Sequence, residues 1–144
     1  MAPPPSQTDD ATMVPHNLLL AAVALLMTTP SCATPGVAAP GQLAHTVYFW
    51  LKPDVPSDTA AEMIAFYRGE VTPLPGVVSV LVGEARRVET PRAVVDATYT
   101  LGVTTVFATA ADEDVWQTHP VHERFLARFG HCFDKVQVYD TVAR

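Results

Sequence analysis

The sequence predicts an α+β fold of the ferredoxin-like kind, four strands and two helices in the order β-α-β-β-α-β. Three observations predict it. Four segments rich in β-branched and aromatic residues, "HTVYFWL", "VVSVLVG", "TYTLGVTTVFAT" and "DKVQVYDTV", are spread along the second two thirds of the chain. Two stretches with apolar residues at helical spacing separate them, one after the first strand and one after the third. Finally, 144 residues with 49% hydrophobic content suffice for one domain with a real core.

The first strand runs from His45 to Leu51. His45, Val47, Phe49 and Leu51 point one way, and Thr46, Tyr48 and Trp50 the other. "KPDVPSD" is a turn that ends in helix-capping residues, with Ser57 or Asp58 as N-cap. Ala60, Ile64, Tyr67 and Val71 then repeat at helical spacing, with Met63 beside them. Pro73 and Pro75 end that helix, and Gly76 suits a tight turn. Val77 to Gly83 form the second strand, a polar connection follows, and Thr98 to Thr109 form the third. "DEDVW" places acids in a first helical turn, where they favour the helix dipole. After Pro120 the stripe Val121, Phe125, Phe129 and Cys132 continues, and Asp134 to Val142 close the chain as the fourth strand.

Two helices cover only one face of such a sheet. The first strand is apolar on both, so Tyr48 and Trp50 would form an exposed patch on the far side. A second copy of the sheet is the simplest cover, and a face-to-face homodimer is the expectation.

Ahead of this body lies a different kind of sequence. Nine of the thirteen prolines fall in the first 56 residues. Leu18 to Met27 are apolar but too few to cross a hydrocarbon core, which needs about 20 helical residues. That length suits the hydrophobic region of an export signal, and "TTPSCATPG" follows with small residues and a cysteine. Cys32 resembles a bacterial lipoprotein acylation site, although Thr29 stands where such sites usually carry leucine and no Lys or Arg precedes the apolar run. The expected organisation is a leader over 1–33, a flexible linker over 34–43 and the domain over 44–144. Export follows, with the membrane reached only through a lipid on Cys32. Cys132 is then left as a single cysteine, expected to be a small buried hydrophobe.

The net charge of −6 comes from 9 basic against 15 acidic residues, with no basic stripe. That excludes nucleic acid and anionic membrane surfaces as natural partners. There is no G-x-G-x-x-G, P-loop or G-x-S-x-G, so neither a nucleotide cofactor nor a serine nucleophile is expected.

The "H-x-V-x-F-x-L-K" of the first strand, "LPGVVSVLVG" of the second and "H-P-x-H" before the last helix together resemble the stress-responsive dimeric α/β barrel (Dabb) family. The resemblance spans His45 to about Val142. It implies a dimer in which two ferredoxin-like sheets make a barrel. One plant member is a polyketide cyclase, whose acid/base pair is the second His of "HPxH" and a Tyr three residues before that motif. The His is present as His122, but the Tyr position is Trp116, which cannot act as a phenol. A further pocket histidine of the cyclase corresponds to Leu101. The resemblance therefore implies a related pocket but not that reaction.

What remains is an expected cavity floored by His45, Val47 and Phe49, with Ile64 and Tyr67 on one helix, Leu101 on the third strand, and Trp116, His122 and Phe125 opposite. Such a lining suits a small hydrophobic ligand, flat aromatic or acyl. The alternative is a filled core in which His45 and His122 bond each other or the backbone. His119, just before a proline at the first helical position, is expected near the N-cap. Metal binding by His119 and His122, with Glu123 or His45, is the sharper alternative, but no third ligand is set by spacing, so no metal is assigned. Two functions stay open: binding or structural duty as an exported dimer, and a cofactor-free enzyme using His122, with His45 or Tyr67, as acid/base. An open pocket shared by His122 and Tyr67 favours the enzyme; a closed core favours the other.

Overall fold

A computed structural model describes Met1, residues 38–89 and residues 92–144. The expected export segment and Cys32 lie outside the described residues. β1 spans Leu43–Leu51, α1 Thr59–Phe66, β2 Val77–Glu84, β3 Leu101–Phe107, α2 Ala110–Gln117, α3 Pro120–Phe129 and β4 Phe133–Val142. The strands form one antiparallel sheet in the order β2-β3-β1-β4. This is the expected ferredoxin-like order of elements, with β1 starting one residue ahead of the expected domain boundary at 44.

The alternation in β1 is as expected. Leu43, His45, Val47 and Phe49 are buried, while Thr46, Tyr48 and Trp50 are half-buried on the other side. Period-2 geometry does this wherever only one face of a sheet is covered. On the covered face, Phe49, Phe66, Tyr67, Phe129 and Phe133 all lie with their ring centroids within 6.0 Å of Phe125. Met63, Val71 and Leu101 complete the packing at 0% exposure. After α1 the chain continues through one wider π turn, Tyr67–Val71, with the Thr72 N–H bonded to the Tyr67 carbonyl at 3.0 Å. Tyr67 and Val71 are thereby both kept on the core side.

The largest differences from expectation are in the third strand and the helical stripe after it. The third strand begins at Leu101, not Thr98: the Thr98 N–H bonds Asp96 Oδ1 at 2.8 Å, and the Thr100 N–H reaches the Phe49 carbonyl at 2.8 Å. It ends at Phe107 because Thr109 caps α2, its Oγ1 accepting from the Asp112 N–H at 3.2 Å. The helical stripe after the third strand is two helices, since proline drives the preceding residue out of the α region and His119 is extended (φ −71°, ψ 139°). Cys132 lies beyond α3 in a short 3-10 turn, buried as expected. Asp58 occupies the N-cap of α1 but its side chain makes no capping bond.

The uncovered face carries an aromatic cluster. Tyr99 lies 4.7 Å from Tyr48 and 6.3 Å from Trp50, between ring centroids, and Tyr139 is 6.3 Å from Tyr48. Gly102 makes this possible: a Cβ there would sit 3.3 Å from both the Tyr48 and Tyr99 rings. Leu81, paired with Thr104 in the register, is 75% exposed on the same face. Trp50 is tied down within the protomer, its indole N–H donating to Thr98 Oγ1 at 2.9 Å with Lys135 Nζ 4.2 Å above the ring. Leu81 is therefore the cleaner probe of a second copy. Leu81→Glu removes almost no packing within one protomer, but would bury an unpaired charge in a face-to-face dimer. Analytical ultracentrifugation should find a folded monomer for the variant and a dimer for the parent; a dimer of equal strength in both would place the interface elsewhere.

Candidate functional site

The covered face is incomplete at one edge. β4 is an edge strand, and Val136 and Val138, opposite Phe49 and Val47 in the register, remain 43% and 42% exposed. A cavity of about 370 Å³ opens there, beneath α2 and α3, with β1 and β4 as its floor. Its walls are Val47, Phe49, Tyr67, Trp116, Phe125, Leu126, Phe133, Val136 and Val138, and its polar groups are His45, Gln117, His122 and Asp140. Among the described residues no Lys or Arg lines it.

His45 reaches this floor because it occupies a core-facing position of β1 otherwise taken by Leu43, Val47 and Phe49. It is 9% exposed, and a buried ring of this kind requires a partner. The antiparallel register sets Asp140 of β4 directly across, and Nδ1 lies 2.7 Å from Asp140 Oδ1. A second carboxylate, Glu113 Oε1 of α2, lies 3.6 Å from the same nitrogen. A carboxylate only accepts, so Nδ1 carries the hydrogen and donates; in the neutral ring Nε2 is left as an acceptor.

His122 stands in the first turn of α3. Its Nδ1 donates to the Gln117 carbonyl at 3.0 Å, one of the last carbonyls of α2, which have no partner within their own helix. Its ring packs against Trp116 at 4.6 Å between centroids. Here too Nε2 is the free atom. The Gln117 side-chain amide bonds Glu113, so one residue touches the supports of both imidazoles. Tyr67 lines the same cavity; burial raises its phenol well above the ordinary tyrosine value, so it serves as a neutral hydroxyl rather than a base.

The structure thus brings together His45, Tyr67 and His122 with Val47, Phe49, Trp116 and Phe125, all assigned to the site from sequence. Ile64 and Leu101 are corrected. Leu101 is wholly buried beneath the helices and Ile64 packs at the edge of the core, and neither lines the cavity. Asp140 and Glu113 were missed. Asp140 could have been found by pairing the first and last strands antiparallel; Glu113 carried no signal, since the acids of an exposed first helical turn look alike. Of the filled-core alternative, one part is met, since His122 bonds the Gln117 backbone carbonyl; His45 is held by Asp140 rather than by His122 or the backbone, and both rings border an open cavity. His119 is turned to its own backbone, Nδ1 accepting from the Val121 N–H at 3.2 Å. Among the described residues no three His, Cys, Asp or Glu side chains converge into a metal-binding group.

The profile of the Stress responsive A/B Barrel Domain (Dabb) family matches residues 43–143. No curated protein matches the chain. Among solved structures, the hydroxynitrile lyase of Passiflora edulis is 19% identical with a TM-score of 0.60, covering 74% of this chain and 96% of its own. A Dabb family protein with a ferredoxin-like fold from Mesorhizobium loti is 23% identical, TM-score 0.57, over 72% of this chain and 98% of its own. A dimeric ferredoxin-like protein of unknown function from Jannaschia sp. CCS1 is 25% identical, TM-score 0.56, over 70% and 98%.

The two histidines of "THPVHERF" separate experimentally. His119 acts as an N-cap, so His119→Asn should keep stability near the parent, whereas His119→Ala should cost about 1 kcal/mol. Equal losses for both variants in urea unfolding would show that the ring does something other than cap.

Proposed function

The chain belongs to the stress responsive A/B barrel domain family, and from that premise we propose that it is an exported homodimer in which each protomer binds a small, largely apolar molecule in the helix-side cavity and transfers protons on it without a cofactor. The observation that carries this reading is the open cavity shared by His45, Tyr67 and His122, with the His45 Nδ1 held 2.7 Å from Asp140. In that arrangement His45 Nε2 is the base. It would take a proton from the bound molecule, and Asp140 would stabilise the imidazolium that forms. His122, anchored on the Gln117 carbonyl, faces the same ligand as the second proton-handling group. Apolar walls exclude water and strengthen these contacts. That a structure of similar fold is named a hydroxynitrile lyase is consistent with chemistry on this scaffold, and that another is described as dimeric is consistent with a dimer through the aromatic face.

Binding without turnover is the second reading, and one feature favours it. Trp116 stands where acid/base chemistry of the cyclase kind needs a phenol, and its ring covers one face of His122.

His122→Gln and His45→Gln separate the two readings. Both keep a polar side chain of similar reach, so both should fold. Under the catalytic reading each lowers turnover by on the order of 10²-fold or more, the scale of a lost acid/base group, while ligand affinity changes less. If both variants keep parental turnover of the substrate found, the imidazoles are binding groups only.

Export rests on the leader, and the lipid on Cys32. Cys32→Ala should move the protein from the membrane fraction to the soluble one, because acyl chains supply about 0.8 kcal/mol per buried CH₂. Unchanged fractionation would remove the lipid anchor from this proposal.

A further inference from the structure

We infer that the cavity selects an uncharged molecule carrying a hydrogen-bond-donating hydroxyl, and rejects carboxylates and phosphates; this rests on the reading of the cavity as a ligand site. Both imidazoles commit the same nitrogen to fixed acceptors: His45 Nδ1 to Asp140 at 2.7 Å and His122 Nδ1 to the Gln117 carbonyl at 3.0 Å. Each neutral ring therefore offers a ligand only the Nε2 lone pair, which accepts and cannot donate. A ligand that brings its own O–H satisfies these atoms. One that brings only acceptors leaves them unpaired and desolvated, which costs affinity.

Charge argues the same way. Among the described residues no Lys or Arg lines the cavity, Asp140 lies on its floor, and Glu113 stands 3.6 Å from His45 Nδ1. The two arginines of α3 are already paired with acids of the first helical segment, Arg124 with Glu70 at 2.9 Å and Arg128 with Glu62 at 2.8 Å. An anionic ligand would meet the Asp140 carboxylate, with that of Glu113 behind His45, and no Lys or Arg among the lining residues. A cation would have to shed its hydration against walls formed by Val47, Phe49, Phe125, Val136 and Val138. An uncharged hydroxyl compound meets neither penalty.

The test uses four probes of one shape, para-ethylphenol, para-ethylanisole, para-ethylbenzoate and para-ethylbenzylammonium. They are titrated into the full chain at about pH 8, where the benzoate is an anion and the benzylammonium a cation. Calorimetry gives affinity, and shifts of the His45 and His122 ring signals report the place. The phenol should bind roughly tenfold or more tightly than each of the others. Val138→Lys, a change at a wall position 42% exposed, should raise benzoate affinity about tenfold by supplying the missing cation. Anisole binding as well as phenol would overturn the donor requirement, and benzoate or benzylammonium binding as well would overturn the charge rule. In each of those cases the cavity would stand as a ligand site. Probes that bind without moving either histidine, or benzoate affinity indifferent to Val138→Lys, would overturn the inference by placing binding elsewhere. No binding by any probe would overturn both it and the reading of the cavity.

Discussion

A polar ring in an apolar row is the constraint from which the rest of this site follows. β1 buries Leu43, Val47 and Phe49 on its helix side, and His45 stands among them. Such a ring is tolerated only if something meets its nitrogens. The partner comes from the opposite end of the chain, 95 residues away, because β1 and β4 pair antiparallel with His45 across from Asp140. A slip of one residue in that pairing would turn every β4 side chain to the other face. Asp140 would then join the aromatic face, and Tyr139 would be driven beneath the helices. Register, core and candidate chemistry are therefore one requirement rather than three.

The same strand sets up two different surfaces. Its helix side makes the core and the floor of the cavity. Its other side begins the aromatic face, where Gly102 leaves room for Tyr48 and Tyr99 to lie against each other. Edge position decides where the sheet stays open. β4 has a neighbour on one side only and little covering on its helix side, so valines that would be core in a central strand become cavity wall. The cavity exists because the three short helices among the described residues leave this edge of the sheet uncovered.

The fold was legible because its signals are periodic. Alternation in "HTVYFWL", the helical stripes and the order of elements all agree with one arrangement, and agreement across levels is what specifies a fold. Most of the site was legible too, since His45, Val47, Phe49, Tyr67, Trp116, His122 and Phe125 do meet around one space. What could not be read was set by pairing and by local side-chain bonds. Leu101 lies under the helices and Ile64, on α1, at the edge of the core, so neither borders the opening, a distinction that period alone does not carry. The third strand was expected three residues too early. The Asp96–Thr98 bond and the Thr100 N–H redirect the chain there, and neither leaves a mark in hydrophobic pattern. Asp140 and Glu113 become visible only once β4 and α2 are set against β1.

The motif "THPVHERF" shows why spacing alone misleads about chemistry. Histidines at i and i+3 on one helix share a face and can hold a metal between them. Here they do not share a helix. Pro120 forces His119 into an extended conformation, so His119 caps the helix with its own Nδ1, and only His122 lies on it. The break has a second consequence. It ends α2 at Gln117 and leaves that residue's carbonyl unpaired within the helix, next to the first turn of α3. His122 Nδ1 takes that carbonyl, which holds the ring and points the opposite nitrogen away from the backbone. One proline thus separates the roles of two otherwise similar histidines: it spends the first on structure, and in doing so supplies the acceptor that prepares the second for a ligand.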